Sequence, residues 1–290
     1  MDITANQTHI RLGNGIHAAY LKQRKYLETN FNSLIIHCNP KHQAILSMEK
    51  KALKNPLLKK LFTNSMMVKK EAIHFYQISP EKIEVIHNGV EWKEKKEDFL
   101  SWVNSKKRLL KPFGLSPLNY HFLFIGNGYK RKGLIYLLHG LKMLAFKDVH
   151  LLVVGKEKNI PYYVQLVKKL GLEKQVTFFG PRSDITEFYQ ISDSLVIPSI
   201  YDPFANVTVE ALSMGLYVIS SPYNGGKEVL KEGSGTIIAD LTNPKTFAQA
   251  LSKGVMHPKT WASSQNIRES IKYLDFSNQL SRLVDSTLQP

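Results

Sequence analysis

The chain has 290 residues, of which 43% are hydrophobic and 22% are charged, an ordinary composition for a soluble globular protein. This length is enough for one large domain or two ordinary ones. No apolar run approaches the roughly 20 residues that cross a bilayer, and the first residues lack the basic and apolar regions of a signal peptide. We therefore expect a cytoplasmic location. The single cysteine, Cys38, excludes an internal disulfide and a multi-cysteine zinc site.

The chain is strongly basic, with 39 Lys and Arg against 24 Asp and Glu, a net charge of +15. Such a charge favours anionic partners, namely a phosphorylated substrate, an anionic membrane surface or nucleic acid. The basic residues are spread along the chain rather than clustered with aromatic residues, and no nucleic-acid-binding motif occurs. We therefore expect a phosphate-rich substrate and peripheral attachment at the inner face of the cytoplasmic membrane, and no nucleic acid.

Short apolar segments alternate with helical patterns in the first 110 residues, which predicts β-α units with parallel strands. The predicted elements are helices Ala18–Leu27, Asn39–Leu53 and one ending near Tyr76, and strands Leu61–Ser65 and Ile83–His87. From Trp92 to Leu110 the sequence is charged and helical, without a clear apolar face, and Pro112 and Pro117 follow. This segment is interpreted as a boundary between two lobes.

A more regular alternation begins at His121. The predicted strands are His121–Gly126, His150–Gly155, Val176–Gly180, Ser194–Pro198, Tyr217–Ser220 and Thr236–Ala239. The predicted helices are Gly133–Leu144, Pro161–Leu170, Ile185–Ile191, Asn206–Met214, Gly226–Leu230, Pro244–Lys253 and helical sequence from Trp261 to Leu288. The strands are nearly continuous apolar runs, as in a parallel sheet that is buried on both faces. The pattern predicts a doubly wound α/β domain that binds its ligand beyond the carboxyl ends of the strands.

The stretch Tyr201–Gly226 combines an acidic loop, the start of a helix near Asn206 and a second buried strand. A helix N-terminus offers free N–H groups to an anion, and Asp202 and Glu210 on either side of it suggest a pocket for a nucleotide-sugar. Glu210 is also a common type of residue near a helix start, although its apolar neighbours imply burial and therefore a partner. Asp202, directly before Pro203, reads by itself as a turn residue.

A glycine-rich bend, Gly126–Gly133, follows the first strand of the regular alternation. It matches neither the dinucleotide-binding fingerprint nor a P-loop. Arg131 and Lys132 stand just before a helix, where they would neutralise a diphosphate or simply lie on the surface; their place at the carboxyl end of a strand favours a function. Asn14, between two glycines, reads as the polar residue of a tight turn. The ten histidines show no metal-binding spacing, so no metal is expected.

The segments Gly126–Gly133, Phe178–Asp184 and Tyr201–Gly226 together resemble a retaining glycosyltransferase of the two-lobed type, with the GT-B fold and belonging to family 4. Within that family, the chain is most similar to the glucosyltransferases that build the lipopolysaccharide core. The resemblance extends from Ala5 to Leu288. It implies an incomplete N-terminal α/β lobe in residues 1–108, a complete nucleotide-sugar-binding lobe in residues 109–270, and a C-terminal helix in residues 271–290 that returns to the first lobe.

The resemblance also assigns a role to each site residue. Glu210 is expected to bind the ribose, Arg131 and Lys132 the diphosphate, and Pro181 and Arg182 the base. The amides of a helix start are expected to face the donor sugar and its phosphates, namely Ala205, Asn206 and Val207. Gly128, in the glycine-rich bend, completes the expected donor-binding set.

Two residues are expected to be catalytic. Asp202 is the first acid of the family's acid–glutamate pair, at a position where glutamate is more frequent. Asn14 falls where many relatives carry an aspartate near the reacting sugar, and an amide can hydrogen-bond there but supplies no negative charge.

The implied reaction transfers a hexose, glucose in the first instance, from a UDP-sugar to a saccharide acceptor such as the lipopolysaccharide core. It retains the anomeric configuration and uses no metal or other cofactor. Since a complete relative opens with further β-α units, a nucleotide-sugar-binding remnant without catalysis is an alternative. A UDP-sugar epimerase is a weaker alternative, because it should need several catalytic acids and histidines in the first lobe.

Overall fold

The structure, a computed structural model, describes residues 7–27 and 39–288, so Cys38 lies outside the described residues. The first lobe contains a parallel sheet in the order β1-β2-β3. Its strands are β1 His9–Leu12, β2 Lys60–Thr63 and β3 Ile83–Val85. Its helices are α1 His17–Leu27, α2 Pro40–Leu53 and α3 Met66–Tyr76, with a short 3-10 turn at Pro80–Lys82. The predicted parallel β-α arrangement is confirmed for these residues.

The second lobe contains a six-stranded parallel sheet in the order β6-β5-β4-β7-β8-β9. Its strands are β4 Tyr120–Ile125, β5 Val149–Val154, β6 Val176–Gly180, β7 Ser194–Ile197, β8 Tyr217–Ser220 and β9 Gly235–Ile237. The helices after the first lobe are α4 Lys96–Leu110, α5 Leu134–Met143, α6 Ile160–Leu170, α7 Ile185–Ile191, α8 Asn206–Ser213, α9 Pro244–Val255, α10 Trp261–Glu269 and α11 Phe276–Leu288. The predicted doubly wound lobe is confirmed, with strand ends shifted by one or two residues.

The strand order reverses beside β4, which pairs with β5 on one side and with β7 on the other. All residues of β5 and β7 are buried, and so are all but the last of β4, because helices cover both faces of the sheet. At such a reversal the loops that leave the two neighbouring strands diverge and open a crevice. The crevice lies between the bend after β4 and the loop after β7.

The segment between the lobes differs from its prediction, because helix α4 does have an apolar face. Phe99 and Trp102 are 3% and 6% exposed, and both belong to the core of the second lobe. The charged residues of the helix cover the other face, which hides the short apolar stripe in the sequence. Helix α4 therefore packs as part of the second lobe rather than linking the two lobes.

The helical sequence from Trp261 to Leu288 is broken between Glu269 and Phe276, by a segment that contains a 3-10 turn and ends at Asp275. This residue pairs with Val90 in a short parallel bridge, and its carboxylate accepts the amide of Ser277 at the start of α11. Helix α11 then lies against the first lobe, where the hydroxyl of Ser286 donates to Glu84 on β3 at 2.7 Å. The helix predicted at Gly226–Leu230 is a 3-10 turn, Gly225–Val229.

Candidate functional site

A cavity of about 530 Å3 opens between the lobes at the carboxyl ends of the strands. Its first-lobe wall contains Gly13, Asn14, Gly15, His17, Tyr20, Ile45, Glu49 and Asn88. Its second-lobe wall contains Arg131, Lys132 and the segment Tyr201–Val207. The structure therefore brings together Asn14, Arg131, Lys132, Asp202 and the start of α8, which the sequence had placed far apart.

The bend after β4 carries its two cations into the cavity wall. Gly133 has φ +76°, and a Cβ atom there would lie 1.9 Å from the carbonyl oxygen of Pro198. Only glycine fits this approach, which holds the bend against the end of β7. The carbonyl of Arg131 also accepts the amide of Ile200 at 3.1 Å. The side chain of Arg131 is exposed, whereas that of Lys132 is partly buried.

Asp202 forms a buried ion pair in the cavity wall. Its Oδ2 atom accepts a hydrogen bond from Lys132 Nζ at 2.6 Å, and the residue is only 6% exposed. Its backbone bridges to the strand-like segment beside it, since its amide donates to Tyr223 and its carbonyl accepts the amide of Gly225, both at 2.9 Å. Asp202 is therefore more than the turn residue that its local sequence indicates.

Helix α8 begins at the cavity without a side-chain cap. The amide of Ala205 donates to Asn224 Oδ1 at 3.1 Å, so its hydrogen bond is already made within the protein, although Ala205 itself lines the cavity; its contact with the donor stays a prediction. Within residues 7–27 and 39–288, the amides of Asn206 and Val207 have no hydrogen-bond partner. The side chain of Asn206 accepts from Asn88 across the lobes at 2.7 Å. Two free amides thus remain for a ligand.

Glu210 lies one turn further along α8, beyond the residues that line the cavity. It is partly buried and accepts a hydrogen bond from the hydroxyl of Tyr189 at 2.6 Å. Burial, together with the charge of Glu210, raises the pKa of Tyr189 well above its ordinary value, so the phenol stays a donor. Glu210 shares a helix face with Asn206 and Val207, which line the cavity; its ribose-binding role stays a prediction.

Three further predicted donor-binding residues lie outside the cavity wall. Pro181 and Arg182 are exposed, and Arg182 pairs with the neighbouring Asp184, its Nε atom lying 2.8 Å from Oδ1. Gly128 is also exposed, and its amide donates to the carbonyl of Lys156 at 2.9 Å. The structure does not bring these residues to Asp202, and their contact with a donor stays a prediction.

Asn14 is exposed on the first-lobe wall, and its loop is fixed by the second lobe. Gly15 has φ +71°, and a Cβ atom there would lie 2.5 Å from the hydroxyl of Tyr201. That hydroxyl accepts the amide of Ile16 at 3.1 Å and donates to Glu71 at 2.7 Å. Sequence reasoning missed this use of Tyr201, because its partners lie 130 or more residues away.

Burial strongly perturbs the carboxylates beneath this loop. Burial raises the pKa of Glu71 to about 7, partly offset by the hydrogen bond from Tyr201. Glu49 is fully buried, which raises its pKa, although it accepts the amide of His17 and the hydroxyl of Tyr76, both at 2.7 Å. Glu71, beneath the loop, is therefore partly protonated at neutral pH and carries less negative charge than its sequence implies.

His17 adds a neutral polar group to the same wall. Its Nε2 atom shares a hydrogen bond with Nδ1 of His42 at 3.0 Å. Burial lowers the pKa of both rings, and the cations Arg24 and Lys41 lower that of His42 further. The spacing of the histidines in the sequence gave no indication that His17 and His42 form a pair.

No group of three or more His, Cys, Asp or Glu side chains in residues 7–27 and 39–288 has an arrangement that could hold a metal ion. In the same part of the chain, every helix is too short or too polar to cross a membrane.

Comparison with solved structures identifies the architecture. The crystal structure of WaaG, a glycosyltransferase involved in lipopolysaccharide biosynthesis, superposes with a TM-score of 0.80 at 19% identity, covering 100% of this chain and 77% of that one. Anabaena HepE, solved in complex with UDP and glucose, superposes with a TM-score of 0.71 at 17% identity, covering 97% of this chain and 71% of that one. The fold is therefore the two-lobed GT-B fold.

The family model of the glycosyl transferases group 1 matches residues 106–283, well over half of the chain. This chain belongs to that family. It is 26% identical over 198 residues to the lipopolysaccharide glucosyltransferase WaaG of Escherichia coli, covering 67% of this chain and 52% of that protein. An uncharacterized glycosyltransferase of Methanocaldococcus jannaschii is 28% identical over 197 residues, with coverages of 67% and 50%. The chain thus spans about half the length of these curated relatives.

Proposed function

We propose that this chain binds a UDP-sugar, UDP-glucose in the first instance, in the cavity between its lobes and transfers the hexose to a saccharide hydroxyl. The single observation that carries the proposal is the second-lobe wall, where Arg131, Lys132 and the two residues with free amides, Asn206 and Val207, line the same cavity as Asp202. Cations and helix amides at one point form a site for a diphosphate. Family membership favours transfer over epimerisation.

The charge distribution suggests how transfer would proceed. When the bond between the sugar and the diphosphate breaks, the leaving diphosphate gains negative charge. Lys132, released from Asp202, would stabilise that charge together with Arg131 and the α8 amides. These groups replace a divalent cation in the proposal, so we propose that the reaction is independent of metal. Retention of anomeric configuration is also proposed, by analogy with the family.

The acceptor is proposed to enter from the first-lobe wall, beside Asn14 and His17. Several named relatives act in saccharide assembly, among them WaaG and an Escherichia coli galactosyltransferase that uses a UDP-linked donor and a diphosphoundecaprenol-linked acceptor. By analogy, we propose a lipopolysaccharide-core or lipid-linked saccharide as the acceptor.

Calorimetric titration with UDP tests the donor site, with ADP as the control ligand. We expect UDP to bind and UDP-glucose to compete with it. No detectable heat at millimolar UDP would overturn the proposal. Release of UDP from UDP-glucose in the presence of a saccharide acceptor then separates a transferase from a donor-binding protein without catalysis, because only a transferase turns the donor over.

We also propose that the chain attaches peripherally to an anionic membrane surface. The net charge of +15 supports this, and so does a stripe of exposed apolar residues on α11, namely Phe276, Leu280, Val284 and Leu288. Sedimentation with phosphatidylglycerol vesicles should show binding that weakens steeply as salt rises, because the charges are screened. Equal binding to neutral vesicles would contradict the electrostatic part of this proposal.

A further inference from the structure

A carboxylate of the second lobe closes the start of helix α3 in the first lobe. Glu228 lies in the 3-10 turn Gly225–Val229. Its Oε2 atom accepts the amide of Met66 and its Oε1 atom accepts the amide of Met67, both at 2.7 Å. Each carboxylate oxygen therefore holds one amide of the first helical turn, and the two lobes share this contact.

The chemistry of the contact favours a fixed geometry. The first amides of a helix have no partner inside the helix, and the dipole there favours negative charge. Ser65, the residue before α3, accepts the amide of Val68 at 3.2 Å, so Glu228 completes what the local cap leaves open. Burial raises the pKa of Glu228, but hydrogen bonds from His87 and from both methionine amides outweigh it and hold the pKa below its ordinary value.

The start of α3 is also tied to both walls of the cavity. Asn64 donates to the carbonyl of Gly13 at 2.9 Å, directly before Asn14. The hydroxyl of Ser65 donates to the carbonyl of Pro203 at 2.8 Å, directly after Asp202. The two residues that precede α3 thus fix the two loops that carry the predicted catalytic residues.

Two further contacts connect the turn that carries Glu228 to the cavity. A Cβ atom on Gly225 would lie 2.0 Å from the carbonyl oxygen of Pro203 and 2.5 Å from the hydroxyl of Ser65, so only glycine allows this approach. His87, whose Nε2 atom lies 3.3 Å from Glu228, stacks on the cavity residue Phe204 with ring centres 5.6 Å apart. The turn that carries Glu228 is therefore packed against the donor side of the cavity.

We propose that Glu228 is a positioning residue, which reaches from the second lobe to the start of α3 and thereby sets the distance between Asn14 and Asp202. The proposal rests on the proposed function for its catalytic consequence, but its structural consequence, the spacing of the lobes, stands apart from any substrate. Loss of Glu228 removes two of the hydrogen bonds that hold the start of α3 to the second lobe and leaves those of Ser65 and Glu71, so the first-lobe wall shifts relative to the donor site.

The test measures the spacing of the lobes directly in the ligand-free protein. Spin labels are attached at Lys51→Cys on the first lobe and Lys169→Cys on the second, both exposed, in a chain that also carries Cys38→Ser. We expect Glu228→Ala to shift the distance distribution and broaden it, and Glu228→Gln, which keeps the shape and one good acceptor, to give an intermediate shift. Glu232→Ala, four residues further along and exposed, is the matched control and should leave the distribution unchanged.

An unchanged distribution in Glu228→Ala and Glu228→Gln overturns the proposal. If the alanine variant does not fold, the distance distribution of the glutamine variant alone decides.

The kinetic readout separates positioning from a general loss of structure. We expect the KM for UDP-glucose to stay within about twofold, because the proposed donor-binding residues are all on the second lobe, and kcat to fall by about tenfold or more, as for misplaced reacting groups.

An equal loss of donor affinity and turnover would overturn a positioning role. If neither the wild type nor any variant binds UDP, the proposed function fails, whereas the distance measurement still decides whether Glu228 fixes the lobes. The two failures are therefore distinguishable.

Discussion

Two of the helices that begin beside the cavity, α3 and α8, have first turns that are completed in different ways. The start of α3 is closed by protein groups, since Ser65 caps one amide and Glu228 accepts two more. The start of α8 follows Ala205, which has no capping side chain, and the next two residues, Asn206 and Val207, have free amides and line the cavity. Both helix starts attract an anion for the same physical reason.

The difference separates a structural helix start from a binding one. At α3 the protein supplies its own carboxylate, so no ligand is needed and the contact holds two lobes together. At α8 the carboxylate in the cavity wall, Asp202, is neutralised by Lys132 and makes no hydrogen bond to the helix amides. The open helix start is therefore the better place for a diphosphate.

The largest expected effect comes from the cation beside the open helix start. In Lys132→Met, Asp202 is left 6% exposed without its partner. Breaking a buried pair in this way should lower the free energy of unfolding by about 3 kcal/mol, as measured by urea denaturation. Adding Asp202→Asn to the same chain should restore most of the loss, because it removes the unpaired charge. If Lys132→Met has the same free energy of unfolding as the wild type, the ion pair between Lys132 and Asp202 contributes little to stability.

The second largest expected effect tests whether a nucleotide binds at the open start of α8. Glu210→Ala should weaken UDP binding by about 1.5–3 kcal/mol, the cost of a lost hydrogen bond to a charged group. Calorimetry measures this change, with the exposed Glu173→Ala as the control. An unaltered UDP affinity would return Glu210 to a purely structural partner of Tyr189.

A smaller effect tests the comparison itself by giving α8 the kind of cap that α3 has. Ala205 has the extended backbone that an N-cap residue needs, with φ −67° and ψ 112°. Ala205→Ser should raise the free energy of unfolding by about 1 kcal/mol. It should also weaken UDP binding, because the new hydroxyl occupies an amide that the ligand uses. A gain in stability with unchanged UDP affinity would show that the donor does not bind at this helix start.

The smallest effect concerns Glu71, which lies on α3 behind its closed end. Its pKa in the folded state is about 7, above the ordinary value of 4.5, so the folded state keeps a proton that the unfolded state loses. The contribution of Glu71 to the free energy of unfolding should therefore be largest below pH 4.5 and be lost as the pH rises to about 7. The shift allows at most about 3 kcal/mol, and partial exposure should reduce it to about 1 kcal/mol. Thermal unfolding of wild type and Glu71→Gln between these pH values measures the difference; parallel curves would exclude Glu71 as the cause.

Much of the second lobe was predictable from sequence, because its strands are buried on both faces and therefore form continuous apolar runs. The bend at Gly133 and the cations Arg131 and Lys132 follow from the same pattern, since they end a buried strand. Helix α4 was not predictable in this way, because its apolar stripe is short and surrounded by charged residues. Local periodicity detects a face only where the face is wide.

The candidate site shows the same difference between features that follow from a local sequence pattern and features that do not. The sequence by itself determined that an acidic loop and a helix start follow a buried strand at the ligand-binding edge of a parallel sheet. Only the tertiary structure decided that the amide of Ala205 is occupied, that Glu210 and Arg182 lie outside the cavity wall, and that Glu228 closes the opposite helix. These outcomes depend on residues that meet across the lobes or on side chains that compete for one amide. A sequence contains both partners of each contact, but no local pattern that pairs them.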